Sequence, residues 1–247
     1  MTAGFQAFTD SGLLQIDGLT PNMTLRQKIG VTTAPGTLLI CWTYNGDAGP
    51  LAPVATVNFS ASTPLCAVYS PGCPATIVST TNTGPGQWSA LIWSSSPASL
   101  DFYVFDQVPA VSAPAGPGYG LQVFTPAGGC GLIYDARQPP VSVLGFQAGN
   151  IIGADPAGWY GGSNGWPGNT SQSFSYPVSK VASAAILNAG IAYRTQYYAL
   201  SAWQHSGGTA IMDFINVNAG EQYPPNNFVG FGSVLSWSAL IIDVSCI

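Results

Sequence analysis

Hydrolytic or acyl-transfer chemistry at neutral pH usually needs an imidazole, and the chain has one histidine, His205. It sits in Trp203-Gln-His-Ser-Gly-Gly208, a polar stretch with turn-like glycines. The expectation is a histidine in a surface loop, and no nucleophile elbow accompanies it. Paired carboxylates are the next candidates, because glycosidases work with two. Asp101 and Asp106 are nearest, in Asp-Phe-Tyr-Val-Phe-Asp. On a strand, five residues of spacing puts them on opposite faces and roughly 16 Å apart at ~3.3 Å per residue, which does not suit acid–base cooperation. They are expected near strand ends. Asp17 and Asp135 recur at matching points of a repeat, which points to a turn or strand-end hydrogen-bonding role. No catalytic residue is assigned, and the chain is expected not to be an enzyme.

Metal and cofactor chemistry finds no support either. The five cysteines, Cys41, Cys66, Cys73, Cys130 and Cys246, match no metal spacing and read as buried thiols. The glycine-rich stretches lack the lysine and the strand-to-helix context of a phosphate loop, so no cofactor is expected. One segment does invite a ligand: Trp159-Tyr-Gly-Gly-Ser-Asn-Gly-Trp-Pro-Gly-Asn169. Trp159, Tyr160 and Trp166 offer rings for apolar sugar faces, and Asn164 an amide for hydroxyls. The same rings could instead plug the end of a sandwich or pack against another subunit.

The elements that must carry these residues read as strands. In Val54 to Ala61 the residues Ala55, Val57, Phe59 and Ala61 share one face, while Thr56, Asn58 and Ser60 share the other. Gln87 to Trp93 and Ala210 to Asn218 have strand-like content with both faces partly apolar. With 30 Gly and 20 Pro distributed throughout, long helices are not expected, the one exception being an Ala-rich stretch from Ser179 to Ala202. The chain also repeats itself. Gly4-Phe-Gln-Ala-Phe-Thr9 parallels Gly120-Leu-Gln-Val-Phe-Thr125, and each is followed by a small residue with Gly and then an apolar run ending in Asp. Beyond the aspartates Pro21 matches Pro139, Met23 matches Val141 and Leu25 matches Val143 at constant spacing. Trp88-Ser-Ala-Leu-Ile92 recurs as Trp237-Ser-Ala-Leu-Ile241 at a larger spacing, so the second copy carries inserted length that includes residues 159–169. Each copy opens with strand, glycine turn and strand, which is hairpin logic. The stretch Val108 to Gly118, rich in Pro and Gly, reads as a linker. The expected fold is all-β, with two β-sandwich-like domains related by internal duplication: residues 1–110, and 118–247 with inserted loops.

Composition narrows the function. Charged residues make up 6% of the chain, against roughly 25% in ordinary soluble domains. Disorder does not account for this, because apolar residues reach 47%. A polar but nearly uncharged surface suits a protein packed against neighbouring subunits. The net charge is −5, and the basic residues Arg26, Lys28, Arg137, Lys180 and Arg194 are scattered, which disfavours nucleic acid. No run reaches 18 apolar residues, so no membrane insertion is expected. The N-terminal residues show no secretory signal, and folding is expected in a reducing cytoplasm.

The two openings, Gly4 to Asp17 and Gly120 to Asp135, resemble a recurrent start of small virion proteins of tailed bacteriophages, from the tail tip, baseplate or fibre. Asp101-Phe-Tyr-Val-Phe-Asp106 and Leu240-Ile-Ile-Asp-Val-Ser245 resemble the same group. The likeness covers two patches of the chain, and Ala7 and the extra Cys-Gly of the second turn depart from it. It implies a β-rich virion component, assembled in the host cytoplasm, with no catalytic residues to carry over. The expected partners are other virion proteins and further copies of the chain, with a trimer favoured. A host-surface glycan is a further expected partner. A carbohydrate-binding module and a head-decoration protein are the alternative readings.

Overall fold

A computed structural model describes residues 6–8, 14–17, 23–35, 53–107, 122–124, 132–135, 141–150, 171–187, 190–193, 197–218, 236–245 and 247. Among these, the regular elements are all strands. The first half contains β1 (Gln6–Phe8), β2 (Leu14–Asp17), β3 (Met23–Thr32), β4 (Ala34–Pro35), β5 (Pro53–Ser60), β6 (Leu65–Tyr69), β7 (Ala75–Gly84), β8 (Gln87–Ser94) and β9 (Ser99–Gln107). The second half contains β10 (Gln122–Phe124), β11 (Leu132–Asp135), β12 (Ser142–Asn150), β13 (Gln172–Ser175), β14 (Val181–Leu187), β15 (Gly190–Tyr193), β16 (Tyr197–Ser206), β17 (Thr209–Asn218) and β18 (Ser236–Asp243).

The all-β expectation holds, and the period-two pattern of Val54 to Ala61 is the one observed: Val57, Phe59 and Ala61 are buried, while Asn58 and Ser60 are exposed. The Ala-rich stretch is not a helix. It forms β14, β15 and the first part of β16. Val181 to Ala184 are buried on both faces, and in a strand so enclosed small side chains let neighbouring layers approach closely. The two predicted hairpins are present with matching registers. Gln6 lies opposite Asp17 and Gln122 opposite Asp135, and each hairpin has an irregularity before its Phe, Phe8 or Phe124.

Two sheets pack face to face. One has six strands in the order β12-β18-β14-β6-β9-β3, and the other runs β13-β17-β16-β7-β8-β5-β4, with β15 on β16. Each half supplies β3, β9, β6 or β12, β18, β14 to the first sheet, and β5, β8, β7 or β13, β17, β16 to the second, in the same chain order. Even the irregularities correspond, since β3 slips register between Leu25 and Gln27, and β12 between Val143 and Gly145. The recurring Trp-Ser-Ala-Leu-Ile is a different matter. Its copies lie on β8 and β18, which belong to different sheets. The halves expected as domains 1–110 and 118–247 share both sheets through antiparallel contacts, Ser183 opposite Val68 and Trp203 opposite Ala75.

Between the sheets lie two apolar clusters, one for each half. Phe59, Ile77, Ile92, Phe102 and Val104 centre the first, and Trp203, Met212, Trp237 and Ile241 the second. The six-stranded sheet also curls, so that its two end strands meet where they begin: the Val141 N–H donates to the Met23 carbonyl at 2.8 Å. The concave face so formed holds a further cluster, with Tyr103, Phe105, Ala184 and Ile242 at its centre. Such a sheet has apolar residues on both faces, which explains why so many strands lack clean alternation.

Asp106 closes the first half. It is 1% exposed, and its carboxylate accepts from Ser62 N (2.6 Å), Thr63 N (2.8 Å) and Gln107 N (2.9 Å). The turn between β5 and β6 is thereby tied to the end of β9. Replacing Asp106 with Ala removes three hydrogen bonds from part-buried N–H groups and should cost about 2 kcal/mol, with Asp106→Asn costing less because one carbonyl oxygen remains. Urea unfolding of the two variants beside the parent chain measures both.

Candidate functional site at the junction of the halves

His205 is not in a surface loop, as its neighbours implied, but is 0% exposed. The turn is confined to Gly207 and Gly208. Gly207 adopts the left-handed φ of 56°, and a Cβ on Gly208 would collide with the backbone of Tyr176 and Val178. Strand β16 therefore continues through Ser206, and the alternation that sends Trp203 between the sheets sends His205 there as well. Its contacts join the halves. Ser70 N–H donates to Nδ1 at 3.0 Å, and His205 N–H donates to the Ser70 carbonyl at 2.8 Å. Ser183 Oγ lies 2.8 Å from Nε2. With Nδ1 accepting, a neutral ring keeps its proton on Nε2 and donates it to Ser183. Burial pushes the imidazole down to about 3, and the Lys180 charge acts in the same direction.

A serine against a histidine has the outline of a nucleophile and its base, but the hydrogen bonds run the wrong way. The nitrogen facing Ser183 carries the proton, and the nitrogen that a triad carboxylate would orient is held by a backbone N–H. Ser183 is itself 1% exposed. This geometry makes a joint: the pairing groups of both halves are satisfied inside the sandwich. Nearby, Ser70 Oγ donates to the Cys73 carbonyl at 2.6 Å, which fixes the turn that presents Ser70.

A charged cluster lies on the concave side of the same junction. Lys180, just before β14, reaches Asp101 of β9 at 2.7 Å, and Lys28 of β3 approaches the same oxygen, Oδ2, at 3.7 Å. The Tyr103 hydroxyl donates to Oδ2 at 3.3 Å, and the Lys180 ammonium sits 4.1 Å from the centre of the Tyr69 ring. Burial alone would raise the Asp101 carboxyl. The Lys180 hydrogen bond and the two lysine charges outweigh it and hold the group below the usual carboxylate range. Burial likewise works against the charged Lys180, and its bond to Asp101 more than compensates and raises it.

The candidate glycan residues Trp159, Tyr160, Asn164 and Trp166 lie outside the described residues, as do Cys41, Cys130, Cys246 and the linker 108–118. Asp101 and Asp106 stand on opposite faces of β9: Asp101 shares the concave face with Tyr103, and Asp106 points inward with Val104. Asp17 and Asp135 end β2 and β11 opposite glutamines. Cys73 is buried and Cys66 half-buried, both as free thiols. Burial pushes Cys66 up to about 12 against an opposing Thr80 hydrogen bond. No group of three metal-ligating side chains occurs among the described residues. Sequence reading missed the roles of Lys180, Ser183 and Ser70, because their partners are 79, 22 and 135 residues away.

The junction makes a pH prediction. The unfolded chain protonates His205 near its ordinary value of 6.5, whereas the folded chain does so only near 3. Between those values the unfolded state holds more protons, so stability falls as pH drops from 6.5 toward 3, and this group has no effect above that window. Changing His205 to Gln should lower stability at neutral pH and flatten the acid-side fall. Urea unfolding at several pH values between about 4.5 and 8 tests both parts.

No protein-family model, no curated protein and no solved structure matches the chain.

Proposed function

We propose that the chain is a structural component of a tailed-phage virion, of tail-tip, baseplate or fibre type, and that it works by assembly rather than catalysis. The observation that carries this reading is the apolar rim at one end of the six-stranded sheet. Val143 is 47% and Phe146 59% exposed on the end strand β12, and Ile186 and Leu187 of β14 are 55% and 41% exposed. Register places Val143, Phe146 and Leu187 on the concave face, opposite or diagonal to Leu240. They therefore form one patch on a chain with very few charges to keep it apart from others. Exposed apolar patches of this kind mark association surfaces, and an end strand offers backbone groups for pairing.

The residue of β3 that corresponds to Phe146 by register is Lys28: Lys28 pairs with Tyr103, and Phe146 with Leu240. The first half covers this position with an ion cluster, and the second leaves it apolar. The matching strand order and the repeated openings also support descent of the halves from one duplicated unit. In this reading the second half meets further copies of the chain or other virion proteins.

The reading predicts a self-associated species for the parent chain, trimer favoured, at a multiple of 25.5 kDa by light scattering. Phe146→Lys, which copies Lys28 of the first half, combined with Val143→Lys should yield monomer that still unfolds in one cooperative transition. A parent chain that is monomeric, and that binds no purified virion component, overturns the assembly reading.

A further inference from the structure

At the other end of the curled sheet a cleft of about 310 Å³ opens on the concave face. Its lining includes Gly30, Thr32, Tyr69, Pro71, Ser99 and Asp101. Register explains the grouping: Gly30 and Tyr69 both lie opposite Asp101, and Thr32 lies opposite Ser99. We propose that this cleft binds one unit of a neutral, hydroxyl-rich ligand, namely a sugar residue of a glycan.

The donors and acceptors make the case. Lys180, Lys28 and Tyr103 all contact Asp101 through Oδ2, so Oδ1 has no partner among the described residues. The lysines keep the carboxylate ionised, which makes Oδ1 an acceptor only. Around it the hydroxyls of Thr32, Ser99 and Tyr69 have no hydrogen-bond partner among the described residues and can donate or accept. Adjacent hydroxyls of a sugar ring, each both donor and acceptor, satisfy such a set.

Charge argues for a neutral ligand. A cation would meet the two ammonium groups beside Asp101, and an anion would meet its free carboxylate oxygen. The volume stands at the lower end of the ~300–1,000 Å³ usual for small-molecule sites, enough for a single ring. The Tyr69 face is already covered by Lys180, so that residue contributes its edge and hydroxyl rather than a stacking platform. Gly30 keeps the floor open, since a Cβ there would meet nothing within 4 Å. This cleft belongs to β3, β6 and β9, away from the apolar rim on β12 and β14, so it does not rest on the assembly reading.

That same empty space supplies the test. Phe in place of Gly30 enters the cleft without a backbone clash, and Asn in place of Asp101 removes the acceptor charge while keeping the shape. Saturation-transfer NMR with the methyl glycosides of glucose, galactose, mannose, N-acetylglucosamine and rhamnose provides the readout. The full-length parent chain should transfer saturation to at least one of them. Gly30→Phe should abolish the transfer while its unfolding midpoint and solution mass stay those of the parent. Asp101→Asn should weaken binding by about tenfold. Transfer to none of the five sugars overturns the proposal, as does transfer that survives Gly30→Phe. Binding of sulfate in place of any sugar overturns the neutral class, and a change of mass alone bears on assembly and not on the cleft.

Discussion

The pairing of β6 with β14 and of β7 with β16 is the constraint on which the remaining structure depends. Each sheet would otherwise end inside the molecule with a row of unpaired backbone groups, and burying such groups costs more than most single contacts return. The antiparallel contacts, Ser183 opposite Val68 and Trp203 opposite Ala75, join one edge of each half within each sheet. They also create a place, between the two apolar clusters, where polar groups from both halves must meet. His205, Ser183 and Ser70 fill that place with a closed set of hydrogen bonds. A neutral imidazole suits it, because one nitrogen accepts and the other donates, and no charge has to be carried into the interior.

The scarcity of charge has a matching logic. With only 15 formally charged residues in 247, the chain spends three of them on a single cluster, Lys28, Asp101 and Lys180. That cluster spans the halves and lies half-buried over Tyr69 and Tyr103, where screening by water is incomplete and the pairing is worth more than an exposed ion pair. The second half, with Phe146 and Leu240 in the corresponding register, has no such cover. One scaffold thus presents a polar cleft at one end of a curled sheet and an apolar rim at the other.

Curling of the six-stranded sheet links these features. β3 and β12 meet at their beginnings, where the Val141 N–H donates to the Met23 carbonyl. Along β9 the concave-face residues Phe105 and Tyr103 are buried, whereas Asp101 is half-exposed.

By itself the sequence determined the class of structure, because period two, the scattered Gly and Pro and the repeated strand–turn–strand openings are local properties. The alternation around Val57 and Phe59, the two hairpins ending at Asp17 and Asp135, and the separation of Asp101 from Asp106 across a strand all follow from the pleat. Local patterning could not decide the fate of His205 or of the Ala-rich stretch. Polar neighbours and two glycines make His205 look like part of a turn, and alanine favours helix when nothing packs against it. Tertiary structure overrode both, since a strand buried on two faces rewards small side chains and a junction between two cores needs a polar group that can be neutral. The cleft, the apolar rim and the Asp101–Lys180 pair were equally hidden, because each is assembled from strands whose neighbours are set by the order of the sheet and not by the order of the chain.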